Sequence, residues 1–120
     1  MANVRYMVDD PGASAAFYVE HFGFVIELQV PAICIVSRED LTLLLSGPKS
    51  SGRRSMPDGQ ETAPGGWNRI LLDVDDLDAE VERIRKAGIQ LRNEIISGPG
   101  GRQILAEDLD GNPIELFEPE

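Results

Sequence analysis

Residues 5–28, RYMVDDPGASAAFYVEHFGFVIEL, line up with residues 69–92, RILLDVDDLDAEVERIRKAGIQLR, so the chain is one unit used twice. Each copy opens with an alternating apolar segment that ends in two acids, Asp9–Asp10 and Asp75–Asp76. A segment of helical length follows, and a glycine then introduces a further strand at Gly23-Phe24 and Gly88-Ile89. The first copy is longer at the helix entry, where Pro11 and Gly12 stand. A chain of 120 residues has room for little beyond such a pair.

Periodicity and capping chemistry set the helices. Asp10 before Pro11, and Asp76 or Asp75 before Leu77, are N-cap candidates, because a carboxylate accepts from free N–H groups and favours the positive end of the helix. Phe17, Tyr18, His21 and Phe22 recur at helical spacing in the first helix, as do Leu77, Val81, Ile84 and Arg85 in the second. Gly23 and Gly88 are placed to end them. Three short strands are expected after each helix, at 24–30, 32–37 and 41–46, then at 89–95, 102–107 and 113–118. The turn residues Arg38-Glu39-Asp40, Gly98-Pro99-Gly100-Gly101 and Asp108-Leu109-Asp110-Gly111-Asn112 separate them. The order predicted is βαβββ, twice: an α+β fold with modules at 1–46 and 67–120 joined by a Gly, Pro and Ser-rich linker loop at 47–66, one structural domain overall.

Composition excludes several classes of function. The net charge of −10 repels a phosphate backbone, and Arg53-Arg54 is the one adjacent basic pair, so nucleic acid is not an expected partner. The apolar runs are too short to span a bilayer, and the N-terminal residues lack the order of a signal peptide, so no membrane partner and a cytoplasmic location are expected. The single cysteine, Cys34, lies in an apolar run and reads as a small buried hydrophobe in a reduced protein. With one histidine, His21, in a helix, and no base beside Cys34, nucleophilic catalysis has little support. The Asp108–Asn112 stretch superficially suggests a calcium loop but lacks its remaining ligand spacing, and a turn between strands is the better reading.

Two βαβββ units carrying DDPGASAAFYVEHFGF, VDDLDAEVERIRKAGI and EDLDGNPIELFEP in this order resemble the vicinal oxygen chelate superfamily, which includes glyoxalase I, extradiol dioxygenases, and fosfomycin and bleomycin resistance proteins. The resemblance covers nearly the whole chain and implies curved mixed sheets around a concave cavity. In the catalytic members a divalent metal is held by residues on strands 1, 4, 5 and 8. Carried onto this sequence, those positions are Asn3, Leu44 or Leu45, Arg69 and Glu115. Strand parity against Glu115 favours Leu44. A guanidinium does not coordinate a cation and a leucine has no lone pair to offer, so only Glu115 remains as a good ligand, and neither a bound metal nor another cofactor is expected.

Period two in the opening strands separates their faces. Val4, Tyr6 and Val8, with Ile70, Leu72 and Val74, make an apolar face suited to packing under the helices. The opposite face carries Asn3, Arg5, Met7 and Asp9, then Arg69, Leu71 and Asp73. Glu115 and Phe117, with Thr42, Leu44 and Ser46, project the same way, giving the apolar walls and few polar groups that a ligand cavity needs. Trp67 stands just before strand 5, where its indole can stack on a planar ligand, close the sheet edge or meet a partner chain. Arg5 and Arg69 either bind an anionic or carbonyl-rich ligand or neutralise Glu115 and Asp73, and Glu115 and Arg69 are expected to pair.

Two functions compete. One is a metal-free protein, similar to the bleomycin-resistance branch, that sequesters a hydrophobic or aromatic small molecule such as an antibiotic or natural product. Its candidate binding residues are Asn3, Arg5, Met7, Leu44, Trp67, Arg69, Leu71, Glu115 and Phe117. The other is an enzyme of the same fold, a lyase, isomerase or dioxygenase, in which Glu115 would be the candidate catalytic group, with or without an atypical metal. The resemblance also implies a homodimer, because modules must pair within one chain or between swapped chains.

Overall fold

Alternating apolar residues separated by turn chemistry produce eight strands and two helices in the computed structural model, which describes residues 2–120. The chain divides into two compact units, Met1–Gly65 and Gly66–Glu120. The first holds β1 (Ala2–Met7), α1 (Pro11–Phe22), β2 (Val25–Gln29), β3 (Ile33–Arg38) and β4 (Leu41–Ser46). The second holds β5 (Ile70–Asp73), α2 (Leu77–Lys86), β6 (Ile96–Gly98), β7 (Gly101–Glu107) and β8 (Pro113–Pro119). Each is a four-stranded mixed sheet, ordered β1-β4-β3-β2 and β5-β8-β7-β6, with one parallel pair formed by the first and last strands of the unit. The expected α+β fold of two βαβββ modules is therefore present.

The repeat extends to the caps. Asp10 and Asp76 occupy equivalent N-cap positions, and their Oδ1 atoms accept from the amides of Ala13 and Ala79, each at 3.1 Å. That decides the choice between Asp75 and Asp76. Beyond the helices the chain turns at Gly23 (φ 72°) and Gly88 (φ 76°), left-handed conformations that cost an L side chain steric energy.

Each helix covers one face of its own sheet. Under α1, Tyr6, Val8, Cys34, Val36, Leu43 and Leu45 are buried against Phe17, Tyr18 and Phe22. The rings meet edge-on, with centroids 5.5 Å apart for Phe17–Tyr18 and 5.4 Å for Tyr18–Phe24. In the second unit, Leu77, Val81 and Ile84 of α2 are buried together with Ile70, Leu72, Ile104, Ile114 and Leu116 of its sheet. Arg85, at the same helical spacing, instead turns outward to Glu94 at 3.3 Å. No helix among the described residues is long and apolar enough to cross a membrane.

The expected strand at 89–95 is not continuous. Residues 90–92 run beside β7, with Leu91 bridged to Ala106, the Glu107 amide donating to the Gln90 carbonyl and the Arg92 amide to the Leu105 carbonyl. At Asn93 the ladder stops, because the Asn93 side-chain oxygen accepts from the Leu105 amide and takes the place of a backbone carbonyl. Pairing resumes only at β6, which closes on β7 through the Gly98–Gly101 turn. Asp108–Asn112 is the turn between β7 and β8. The Asp108 carboxylate accepts there from the Asp110 and Asn112 amides and the Asn112 side chain, so its oxygens are spent on the turn.

Candidate functional site

The residues singled out from strand parity lie on the sheet faces that the helices leave uncovered. On the first sheet, the register sets Asn3 beside Thr42, Arg5 beside Leu44 and Met7 beside Ser46. β3 continues these rows with Ser37, Ile35 and Ile33. Leu44 therefore faces outward while Leu45 is fully buried under α1, which resolves the strand 4 register. The face is an apolar strip of Met7, Leu44, Ile33 and Ile35 edged by hydroxyls. Its one cation is Arg5, whose Nη1 donates to Ser46 Oγ at 2.9 Å.

On the second sheet, Leu71 lies beside Glu115 and Asp73 beside Phe117, and β7 adds Leu105 and Gln103 to the same rows. Arg69 stands one residue before β5 with the same parity. Its Nε donates to Glu115 Oε1 at 2.9 Å. The expected pair is formed, and it is asymmetric: the Glu115 side chain is 7% exposed and that of Arg69 29%. Leu71, at 49% exposure, offers open apolar surface beside it.

Trp67 is 71% exposed and does not close a sheet edge. Arg92 lies under its ring, with the guanidinium carbon 4.9 Å from the ring centroid. Arg92 is itself pinned: Nε donates to Glu107 Oε2 at 2.7 Å, and Nη1 and Nη2 donate to the Gly66 and Gly111 carbonyls, each at 2.8 Å. The indole thus presents one ring face to solvent and rests the other on a fixed cation. Arg92 was not among the residues singled out from the sequence, since its position opposite Trp67 depends on the broken course of residues 89–95.

The donor chemistry does not fit the metal that the resemblance implies for catalytic relatives. At the strand 5 position a guanidinium faces the Glu115 carboxylate, and at the strand 4 position Leu44 has no donor atom. No group of three His, Cys, Asp or Glu among the described residues is placed to hold a metal ion. His21 lies on α1 with its ring centroid 5.2 Å from Phe17, a helix-packing position. Cys34 is fully buried, and burial pushes its thiol up from its ordinary value, with Asp10 adding a smaller effect in the same direction and a hydrogen bond to the Val30 backbone opposing them. Neither residue joins the uncovered faces.

A duplicated, helix-backed mixed sheet whose free face carries apolar rows and a few placed charges defines a class of small α+β proteins built from paired βαβββ modules. Residues 1–116 match the model of the Glyoxalase/Bleomycin resistance protein/Dioxygenase superfamily, and the chain belongs to that superfamily. Among solved structures it is similar to TnmS3, an antibiotic binding protein from Streptomyces sp. CB03234, at 28% identity and TM-score 0.68, covering 100% of this chain and 98% of that one. It is also similar to lactoylglutathione lyase from Agrobacterium tumefaciens, at 24% identity and TM-score 0.77, covering 98% and 92%. FosX, the fosfomycin resistance protein from Listeria monocytogenes, aligns at 18% identity and TM-score 0.75, covering 100% and 93%. These last two likenesses speak to the fold alone. No curated protein sequence matches the chain. The superfamily thus includes both enzymes and antibiotic-binding proteins on one scaffold, and the site has to choose between them.

Proposed function

We propose that this protein binds and sequesters a hydrophobic or aromatic small molecule, such as an antibiotic or natural product, without using a metal. The observation that carries this reading is the Arg69–Glu115 ion pair. A positive side chain stands where catalytic relatives are expected to hold a cation, and the carboxylate is already engaged. Beside it in the same sheet, Leu71 and Phe117 supply apolar surface, and the uncovered face of the first unit carries its own in Met7 and Leu44. Asn3, Arg5 and Trp67 add polar and stacking contacts. The likeness to an antibiotic binding protein at 28% identity supports the same direction.

The competing reading, an enzyme acting through Glu115, needs that carboxylate free to exchange a proton with substrate, and the 2.9 Å contact to Arg69 opposes it. We further propose that the working form is a homodimer. β2, at the edge of its sheet, exposes Val25, Ile26 and Leu28 at 57%, 44% and 44%, apolar surface that a second copy would cover.

Elemental analysis and thermal unfolding test the functional reading together. The expected result is purified protein without stoichiometric zinc, nickel, manganese or iron, a melting temperature indifferent to chelator, and stabilisation by a planar aromatic compound from a library; a ligand at 100 times its Kd adds about 2.7 kcal/mol. One tightly held transition metal per chain, lost together with a measurable turnover on Glu115→Ala, would overturn it. Light scattering at micromolar concentration is expected to give twice the chain mass, and the mass of a single chain would refute the dimer.

A further inference from the structure

We propose that Arg5 is the anion-reading residue of the first unit's uncovered face, held in place by Ser46 and Gly52, and that the ligand carries an acidic group beside its apolar part. The proposal rests on the binding reading above and gives that ligand its chemical class. It begins from a difference between two arginines that the sequence left equivalent. Arg69 is neutralised by Glu115. Arg5 forms no ion pair with any carboxylate among the described residues, and its hydrogen bond goes to a neutral hydroxyl, Ser46 Oγ. Arg38, Lys49, Arg53 and Arg54 also form no ion pair among the described residues, so position is what distinguishes Arg5 among these cations. One left without a carboxylate next to Leu44, on a face with apolar rows, is placed to receive its counterion from a ligand.

The side chain is also positioned rather than loose. The short 3-10 turn Ser51–Arg53 lies against it, and a Cβ built on Gly52 would run into Arg5 Nη1, Cδ and Cζ. The turn is held there by Arg53, whose Nη1 donates to the Val8 carbonyl at 2.8 Å and Nε to Thr62 Oγ1 at 3.1 Å. Gly52 is thus needed for close approach. Its φ lies outside the left-handed region, so alanine is compatible with the backbone there. The atoms such a methyl would displace are those of a flexible side chain. Gly52→Ala is therefore expected to move Arg5 and leave the fold intact, so Gly52 and Ser46 act as positioning residues.

A pair of probes that differ by one charged group tests this: 1-anilinonaphthalene-8-sulfonate, which is anionic, and N-phenyl-1-naphthylamine, its neutral counterpart. Both are titrated by fluorescence into the full-length protein and into Arg5→Gln, Arg5→Lys and Gly52→Ala, with circular dichroism checking each fold. The expected result is that the ratio of the two affinities falls about tenfold in Arg5→Gln, the size of one charge-assisted hydrogen bond, while the neutral probe is unaffected. Gly52→Ala should lower the same ratio severalfold, and Arg5→Lys, which keeps the charge, should restore part of it. If both probes bind and the ratio is the same in wild type, Arg5→Gln and Gly52→Ala, the assignment to Arg5 is overturned while the binding reading stands. If neither probe binds at millimolar concentration, the binding reading fails and the assignment with it.

Discussion

Removing either member of the Arg69–Glu115 pair should cost unequal amounts, because the two side chains are buried unequally. Arg69→Met leaves a carboxylate that is 7% exposed with no other described hydrogen-bond partner. An orphaned charge in a fully buried pair costs roughly 3–5 kcal/mol. Here the guanidinium is 29% exposed, so solvent already reaches the pair and the figure has to be discounted, to about 2 kcal/mol. Glu115→Gln leaves a guanidinium that reaches water and still finds an amide oxygen beside it, and should cost about 1 kcal/mol or less. The double variant Arg69→Met, Glu115→Leu fills the space with apolar atoms and should lie near wild type or above it.

The assay is urea unfolding followed by circular dichroism at low ionic strength, since guanidinium chloride would screen the pair under study. For a chain of this length each kcal/mol corresponds to about 4 °C in melting temperature, so the Arg69 variant should melt about 8 °C below wild type. Two results would refute the reasoning. One is a Glu115→Gln cost exceeding that of Arg69→Met. The other is a double variant whose cost is the sum of those of Arg69→Met and of Glu115→Leu measured alone, which would mean the two side chains do not interact.

Three further outcomes follow from particular contacts. Trp67 is the one tryptophan, so its fluorescence reports on the Arg92 support alone; Arg92→Met should leave the indole more accessible to acrylamide and red-shifted, and an unchanged quenching constant would deny that Arg92 holds the ring. Glu118 accepts from the Leu77 amide at the start of α2 and from Arg102, contacts that hold its carboxyl below its usual value. Its contribution to stability is thus complete above the unfolded-state value of about 4.3 and is lost as pH falls through the lower folded-state one; wild type should lose stability more steeply than Glu118→Gln in that window, and parallel acid titrations would contradict the contact. Asp10→Ala and Asp76→Ala each remove one N-cap hydrogen bond and should cost about 1 kcal/mol by the same urea assay, with a smaller loss at Asp76 tolerable because Glu118 also serves that helix end.

How much of this was legible in the residues depends on how local the cause is. The helix cap at Asp10, that of the second helix up to the choice between Asp75 and Asp76, the turns at Gly23 and Asp108–Asn112, and the division of β1 and β5 into a covered and an uncovered face follow from capping, turn chemistry and period two, each a property of neighbouring residues. The repeat then supplied the topology, because an isolated βαβββ unit leaves a sheet face uncovered. Parity was enough to bring Arg69 and Glu115, 46 positions apart, to one face. Where two local preferences competed, only the tertiary structure decided. Residues 89–95 have the apolar alternation of a strand, but the Asn93 side chain bonds the Leu105 amide and ends the ladder there. The contrast between Arg5 and Arg69 is of the same kind. Both are arginines at the same parity, and only the three-dimensional packing gives one a carboxylate and the other a hydroxyl and the edge of Gly52. Periodicity records which way a side chain points, whereas its partner is set by strand pairing and loop packing across tens of residues, which no local preference encodes.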